Sequence, residues 1–286
     1  MTVPDPSTGA SGPSSDTCYR HPDRQSYVLC QRCGRTVCSE CQTPAAVGVH
    51  CPECVREQRA SAPRVKSPVL GRVRSASRAG APVVTYGLVA TNVLVFLLQQ
   101  VTGGLVTNAM LFAAPYALSE PWRIVTTMFV HGGFFHILFN MYVLFIFGGH
   151  LERMLGRSRF AALYALSGIG GSAAVALLAP YTPVVGASGA IFGLMVAFFV
   201  IERSLGRNAV QLLVLVAINL VIGFVLPGVA WQAHVGGIVV GAAVAWLYSR
   251  TRHRSKAPLQ AAVLVAIGVV LVAVTLARSA QLLGVL

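Results

Sequence analysis

The chain has 286 residues, 55% apolar and 11% charged, with a mean hydropathy of +0.68. That excludes an ordinary soluble enzyme, in which about 25% of residues are charged. A net charge of +13, 22 basic against 9 acidic residues, would suit a nucleic-acid binder, but the basic residues sit beside long apolar blocks, where membrane topology signals lie.

Residues 1–17 are polar and rich in Ser, Pro and Gly, and read as a disordered tail without a cleavable signal peptide. All seven cysteines fall in the next segment, 18–56. An odd, clustered set argues against a disulfide framework and for metal ligation in a reducing compartment. The spacing is Cys18-x2-His21, Cys30-x2-Cys33, Cys38-x2-Cys41 and Cys51-x2-Cys54. Each pair can hold one side of a tetrahedral Zn²⁺, and thiolate-rich sets select zinc. Eight ligands suffice for two ions, and so small a segment needs metal to supply its folding energy. The expectation is two structural zinc ions and no cofactor for catalysis. His50 breaks the x2 rhythm and is left out.

This arrangement resembles a B-box-type cross-braced finger. The resemblance implies that Cys18, His21, Cys38 and Cys41 hold one ion, and Cys30, Cys33, Cys51 and Cys54 the other. A cytoplasmic protein is the expected partner of the module. Nucleic acid is the competing partner, given Arg20, Arg24, Arg32 and Arg35, but no base-reading helix is evident. Residues 57–80 follow as a basic linker.

Beyond it, no Asp, Glu, Lys or Arg occurs in 79–119, 160–201, 208–249 or 257–277. A bilayer-spanning helix needs roughly 20 mostly apolar residues, so the sequence predicts an all-α polytopic membrane protein. Spans are expected at 83–101, 133–150, 159–179, 185–202, 209–226, 231–248 and 258–278. The intervening 102–132 is too amphipathic for a loose connection and is expected to lie in the membrane interface. With the N-terminus inside, the inner loops hold Arg153, Arg157, Arg159, Arg203, Arg207, Arg250, Arg252, Arg254 and Lys256, against only Arg123 and Arg278 outside. That asymmetry predicts seven helices, a cytoplasmic N-terminus and an extracytoplasmic C-terminus, in a cell (plasma) membrane.

Polar residues at membrane depth are candidates for function because burying them is costly. Ser188, His234, and the pair His136 and Asn140 each lie near the outer end of a different expected span. Ser with His is the minimal nucleophile and general-base pair. The tetrahedral oxyanion of acyl transfer needs donors, which His136, Asn140 and the Ser188 backbone N–H can supply. No Asp follows Asp23, and the acids beyond residue 57 are Glu120, Glu152 and Glu202, none near Ser188 in depth. A serine hydrolase built from these residues works as a dyad. The same census excludes an aspartyl protease, and the absence of H-E-x-x-H excludes a zincin. Ser188 and His234 must meet across two helices, and Gly186, Gly189, Gly237 and Gly241 remove the side chains that would hold those helices apart.

Together these residues resemble the rhomboid family of intramembrane serine proteases. The likeness covers about 83–250: Trp122–Arg123, His131 with His136 and Asn140, Gly148-x3-Glu152-x3-Gly156, G-A-S-G around Ser188, and A-H-V-G-G at His234. It implies a six-helix catalytic core (81–250) with Ser188 as nucleophile, His234 as base, and His136 and Asn140 in the oxyanion hole. The C-terminal segment, 251–286, would add a seventh helix. The expected substrates are transmembrane segments of other proteins in the lipid bilayer. Trp122, Arg123, Glu152, Gly237 and Gly241 are expected to be structural, and His131 either bonds at the interface or lines substrate access. Phe192 departs from the family, where several members carry Tyr: stacking on His234 would survive, a phenol hydroxyl would not. A non-enzymatic adaptor on the same scaffold is the rival reading, but inactive relatives generally lack the serine or the histidine.

Overall fold

The computed structural model describes residues 16–45, 47–61, 80–225 and 228–285. The tail expected at 1–17 and the linker at 57–80 lie largely outside these residues. The chain divides into two compact units, Met1–Gly71 and Arg72–Leu286.

The first unit is built around its cysteines. Two antiparallel pairs form, β1 (Thr17–Cys18) with β2 (His21–Gln25), which turns at the Cys18-x2-His21 knuckle, and β3 (Thr43–Pro44) with β4 (Val49–His50), which lies between Cys41 and Cys51. Helix α1 (Pro52–Ser61) follows, running past the expected module boundary at 56. An Arg56–Glu53 ion pair at i,i+3 supports it. Apart from Val37, the buried apolar side chains of this unit are cysteines, so its interior is a set of ligand atoms rather than a hydrocarbon core.

The second unit contains seven long helices among the described residues: α2 (Val83–Val101), α5 (Phe134–Leu155), α6 (Arg157–Leu178), α7 (Ser188–Ser204), α8 (Val210–Val225), α9 (Trp231–Arg250) and α10 (Ala257–Leu282). Their positions agree with the expected spans. Four of them, α2, α5, α6 and α10, are long and apolar enough to cross a membrane. The short ones, α7 with 17 residues and α8 with 16, rise roughly 25 Å, close to the thickness of the hydrocarbon core. A π-helical segment, Leu144–Gly148, interrupts α5, and Gly156, at φ +83°, makes the turn into α6.

The region expected at the interface, 102–132, is folded: α3 (Leu105–Met110), α4 (Arg123–Thr126) and two 3₁₀ turns, Ala114–Tyr116 and Thr127–Phe129. It is tied to the residues just before α7. Phe112 and Val184 exchange two backbone hydrogen bonds of 3.0 and 2.8 Å, and Thr127 Oγ1 donates to the Val184 carbonyl at 2.7 Å.

Helix α7 is buried around most of its circumference and packs against α6 and α9. A helix surrounded by protein rather than lipid can carry glycine and serine without exposing backbone to hydrocarbon. The contacts are backbone to backbone. A Cβ at Gly237 would meet the Gly189 carbonyl oxygen, one at Gly241 the Gly193 carbonyl, and one at Gly236 the Gly170 carbonyl. Such close approach is how helices associate where hydrophobic burial gives no advantage over lipid.

Candidate active site

Ser188 is the first residue of α7 and His234 lies in the first turn of α9, so the packing of these helices sets the two side chains at the same end of the bundle. Ser188 Oγ is 3.0 Å from His234 Nε2. The imidazole is buried and stacks on Phe192, one turn along α7 from Ser188, with ring centroids 4.2 Å apart and planes at 15°. His234 Nδ1 is buried without a hydrogen-bond partner, and among the described residues no carboxylate orients the ring. Its orientation comes from stacking and enclosure.

Helix α5 delivers two further polar groups to the same place. The Gly132 N–H donates to His136 Nδ1 at 3.3 Å. With Nδ1 an acceptor, the neutral ring carries its proton on Nε2. That Nε2 points at the segment before Ser188: a Cβ at Gly186 would lie 2.7 Å from it and 3.7 Å from Asn140 Nδ2. Gly186 has φ +126°, so both backbone conformation and space call for glycine. Asn140 Nδ2 is buried with no hydrogen-bond partner. Two donor groups therefore converge on Gly186, two residues before Ser188.

The remaining expected residues form the frame. His131 is buried and packs edge-on against His136, ring centroids 5.1 Å apart; both its ring nitrogens lack partners, while its backbone is held by Gln99 through bonds of 3.0 and 3.1 Å. Trp122 Nε1 donates to the Ala109 carbonyl at 3.1 Å. Arg123 donates to the carbonyls of Asn108 and Leu111 and pairs with Glu120 at 2.7 Å. Glu152 lies away from the site. Its carboxylate accepts the N–H groups of Val84 and Thr85 and the Thr85 hydroxyl at 2.7–2.9 Å, which satisfies the first turn of α2.

Several contributors have no sequence signal of their own. Thr127 accepts the Gly186 N–H on its carbonyl at 3.0 Å while its hydroxyl holds Val184. Gln99 fixes His131, and Gly170, Gly193 and Gly236 complete the helix contacts. Two of these glycines had a readable trace, Gly170 in the G-I-G-G run at 168–171 and Gly236 in A-H-V-G-G.

Comparison with known proteins bears on this geometry. Residues 118–251 match the Rhomboid domain. The chain is 34% identical over 206 residues to the rhomboid protease GluP of Bacillus subtilis (strain 168), covering 66% of this chain and 40% of that protein. It is 30% identical over 213 residues to the rhomboid protease AarA of Providencia stuartii, covering 61% of this chain and 75% of AarA. The chain belongs to the rhomboid family. Another relative is RHOMBOID-like protein 6, mitochondrial, of Arabidopsis thaliana, 40% identical over 130 residues, 43% of this chain and 42% of that protein. The chain thus spans less than half the length of GluP and of RHOMBOID-like protein 6. The matched rhomboid domain contains Ser188, His234, His136 and Asn140.

N-terminal to the rhomboid domain, the cysteines gather into two interleaved clusters: Cys18, His21, Cys38 and Cys41, and Cys30, Cys33, Cys51 and Cys54, with ligand atoms within 4.8 Å of one another in each. A tetrahedral zinc with bonds of about 2.3 Å to sulfur and 2.0–2.1 Å to nitrogen has ligand–ligand edges of roughly 3.6–3.8 Å. His21 Nδ1 lies 3.8, 3.4 and 3.5 Å from the sulfurs of Cys18, Cys38 and Cys41, and Cys33 Sγ lies 3.7 Å from Cys51 Sγ. The donor geometry fits zinc. Within a cluster the thiols compete for charge. Burial opposes ionisation of Cys18, but N–H groups of Cys38 and Arg20 and the His21 ring lower it to about 6, whereas burial and the neighbouring Cys18 and Cys38 push Cys41 up to about 11.

Proposed function

We propose that this chain is an intramembrane serine endopeptidase that hydrolyses peptide bonds in transmembrane segments of other proteins. Ser188 is the nucleophile and His234 the general base. His234 Nε2 takes the Ser188 hydroxyl proton as Oγ attacks the scissile carbonyl. The tetrahedral oxyanion is held by His136 Nε2–H, Asn140 Nδ2–H and the Ser188 backbone N–H. As the intermediate collapses, the C–N bond breaks and His234 returns the proton to the leaving amine. A water then repeats the sequence on the acyl-enzyme and releases the new carboxylate. This chemistry needs neither metal nor ATP.

The observation that carries the reading is the 3.0 Å approach of Ser188 Oγ to His234 Nε2 across two helices. The unpartnered Asn140 Nδ2 and the His136 Nε2 beside Gly186 support it, as does family membership. Phe192 then acts by stacking alone, and His131 backs the His136 ring.

The N-terminal module, residues 18–56, binds two structural zinc ions through the two clusters above and serves as a cytoplasmic docking module for a protein partner. The rhomboid domain occupies 81–250 and the seventh helix 251–286, in a cell membrane with the N-terminus inside, as the arginine asymmetry indicates. The test of the enzymatic assignment is cleavage of a reporter transmembrane substrate in membranes containing wild-type protein or Ser188→Ala at equal expression. Cleavage lost in Ser188→Ala is expected; cleavage retained contradicts the assignment.

A further inference from the structure

The end of the bundle remote from Ser188 has a depression of about 480 Å³ between the C-terminal turns of α7 and α9, lined by Val200, Arg203, Ser204, Trp246, Arg250 and Arg252 among others. The 17 residues of α7 put it roughly 25 Å from Ser188, at the opposite membrane surface.

Its charge is uncompensated. The membrane unit has three acidic residues, Glu120, Glu152 and Glu202, and all are committed: to Arg123, to the first turn of α2, and to Arg207. None lines the depression. The helix ends of α7 and α9 contribute about half a negative charge each, so three guanidiniums leave roughly +2 to be balanced. A second depression on the other flank of α7 contains Arg153 and Arg207, and there Glu202 bonds Arg207 at 3.2 Å. The positive-inside tendency accounts for arginines at this end. It does not account for an acidic partner standing in one hollow and none in the other.

We propose that the depression binds the phosphate headgroup of an anionic phospholipid. Guanidinium forks match phosphate oxygens in paired hydrogen bonds, and basic hollows between transmembrane helices suit such headgroups. Arg252 is held in place by its bond to Ser204 Oγ at 2.7 Å. Arg250 lies over the Trp246 ring, 5.6 Å from its centroid, and Arg203 has no ion-pair partner among the described residues. Trp246, 58% exposed, and Val200 form an apolar wall for the glycerol and upper acyl chain, which a soluble phosphate would not use. The site is separate from the dyad, so it stands or falls independently of the catalytic reading.

The experiment titrates full-length protein in neutral detergent with phosphatidylglycerol or chain-matched phosphatidylcholine and reads bound lipid by native mass spectrometry. Phosphatidylglycerol binds in preference in the wild type. The combined Arg203→Gln, Arg250→Gln, Arg252→Gln variant loses that preference by at least about tenfold without a lower thermal midpoint. Arg203→Gln alone, at an exposed position, gives a severalfold loss and covers the case in which the combined variant folds poorly. Arg153→Gln, in the neighbouring hollow, leaves the preference in place. Equal phosphatidylglycerol binding by wild type and Arg203→Gln overturns the proposal, as does a loss in Arg153→Gln as large as in Arg203→Gln. Displacement of the lipid by millimolar inorganic phosphate assigns the hollow to a soluble anion and overturns the lipid reading.

Discussion

His234 does its proposed work with no third group on Nδ1. In a triad a carboxylate sets the imidazole's tautomer and orientation; here stacking on Phe192 and enclosure do so. Phe192→Ala should therefore lower kcat by freeing the ring, whereas Phe192→Tyr, which keeps the stack, should stay near wild type; equal losses in both variants would show that stacking is not what matters. The donors on α5 act later in the reaction, on charge that exists only in the transition state. His136→Ala and Asn140→Ala should each reduce kcat on the order of 10²–10³-fold with little change in KM, read in a reporter-cleavage assay. A change confined to KM would make them substrate-binding residues instead.

Among the helices, the α7–α9 contact holds the nucleophile and base together, and it is made of glycine. A side chain at 237 must displace the Gly189 carbonyl, so Gly237→Val should destabilise the fold by about 1–3 kcal/mol or more, seen as a lower thermal midpoint in detergent together with loss of cleavage. Glu152 works at the far end of the bundle. Glu152→Gln removes the charge that satisfies Val84 and Thr85 and should cost about 1–3 kcal/mol, again in the thermal midpoint, while leaving the dyad's geometry intact. The helices themselves could be read from the sequence because uncharged blocks bounded by arginines translate directly into spans. Ser188, His234, His136 and Asn140 could be read because polar residues are conspicuous in apolar surroundings. The path of 102–132 could not be read. Its role depends on Phe112 pairing with Val184 and Thr127 bonding both Val184 and Gly186, contacts between distant residues that leave no local periodicity. Gln99 likewise looks like any polar residue in a helix until its partner, the His131 backbone, is seen.

Taken as a whole, the molecule joins a unit whose interior is metal-ligating atoms to a unit whose interior is close-packed helices. The two are stabilised by different physics and should respond separately. Treatment with a strong chelator should release two zinc ions per chain, counted by elemental mass spectrometry, and unfold the N-terminal unit, whereas the thermal midpoint of the helical unit should not move; one ion per chain, or none, would refute the two-cluster assignment.

The proposed chemistry requires that Ser188 be activated by His234. A fluorophosphonate probe applied to the protein in membranes, with the adduct located by peptide mass spectrometry, tests this most directly. The expected result is a single adduct on Ser188 that disappears in His234→Ala while that variant remains folded. Absence of an adduct on Ser188, or labelling undiminished in His234→Ala, would contradict it.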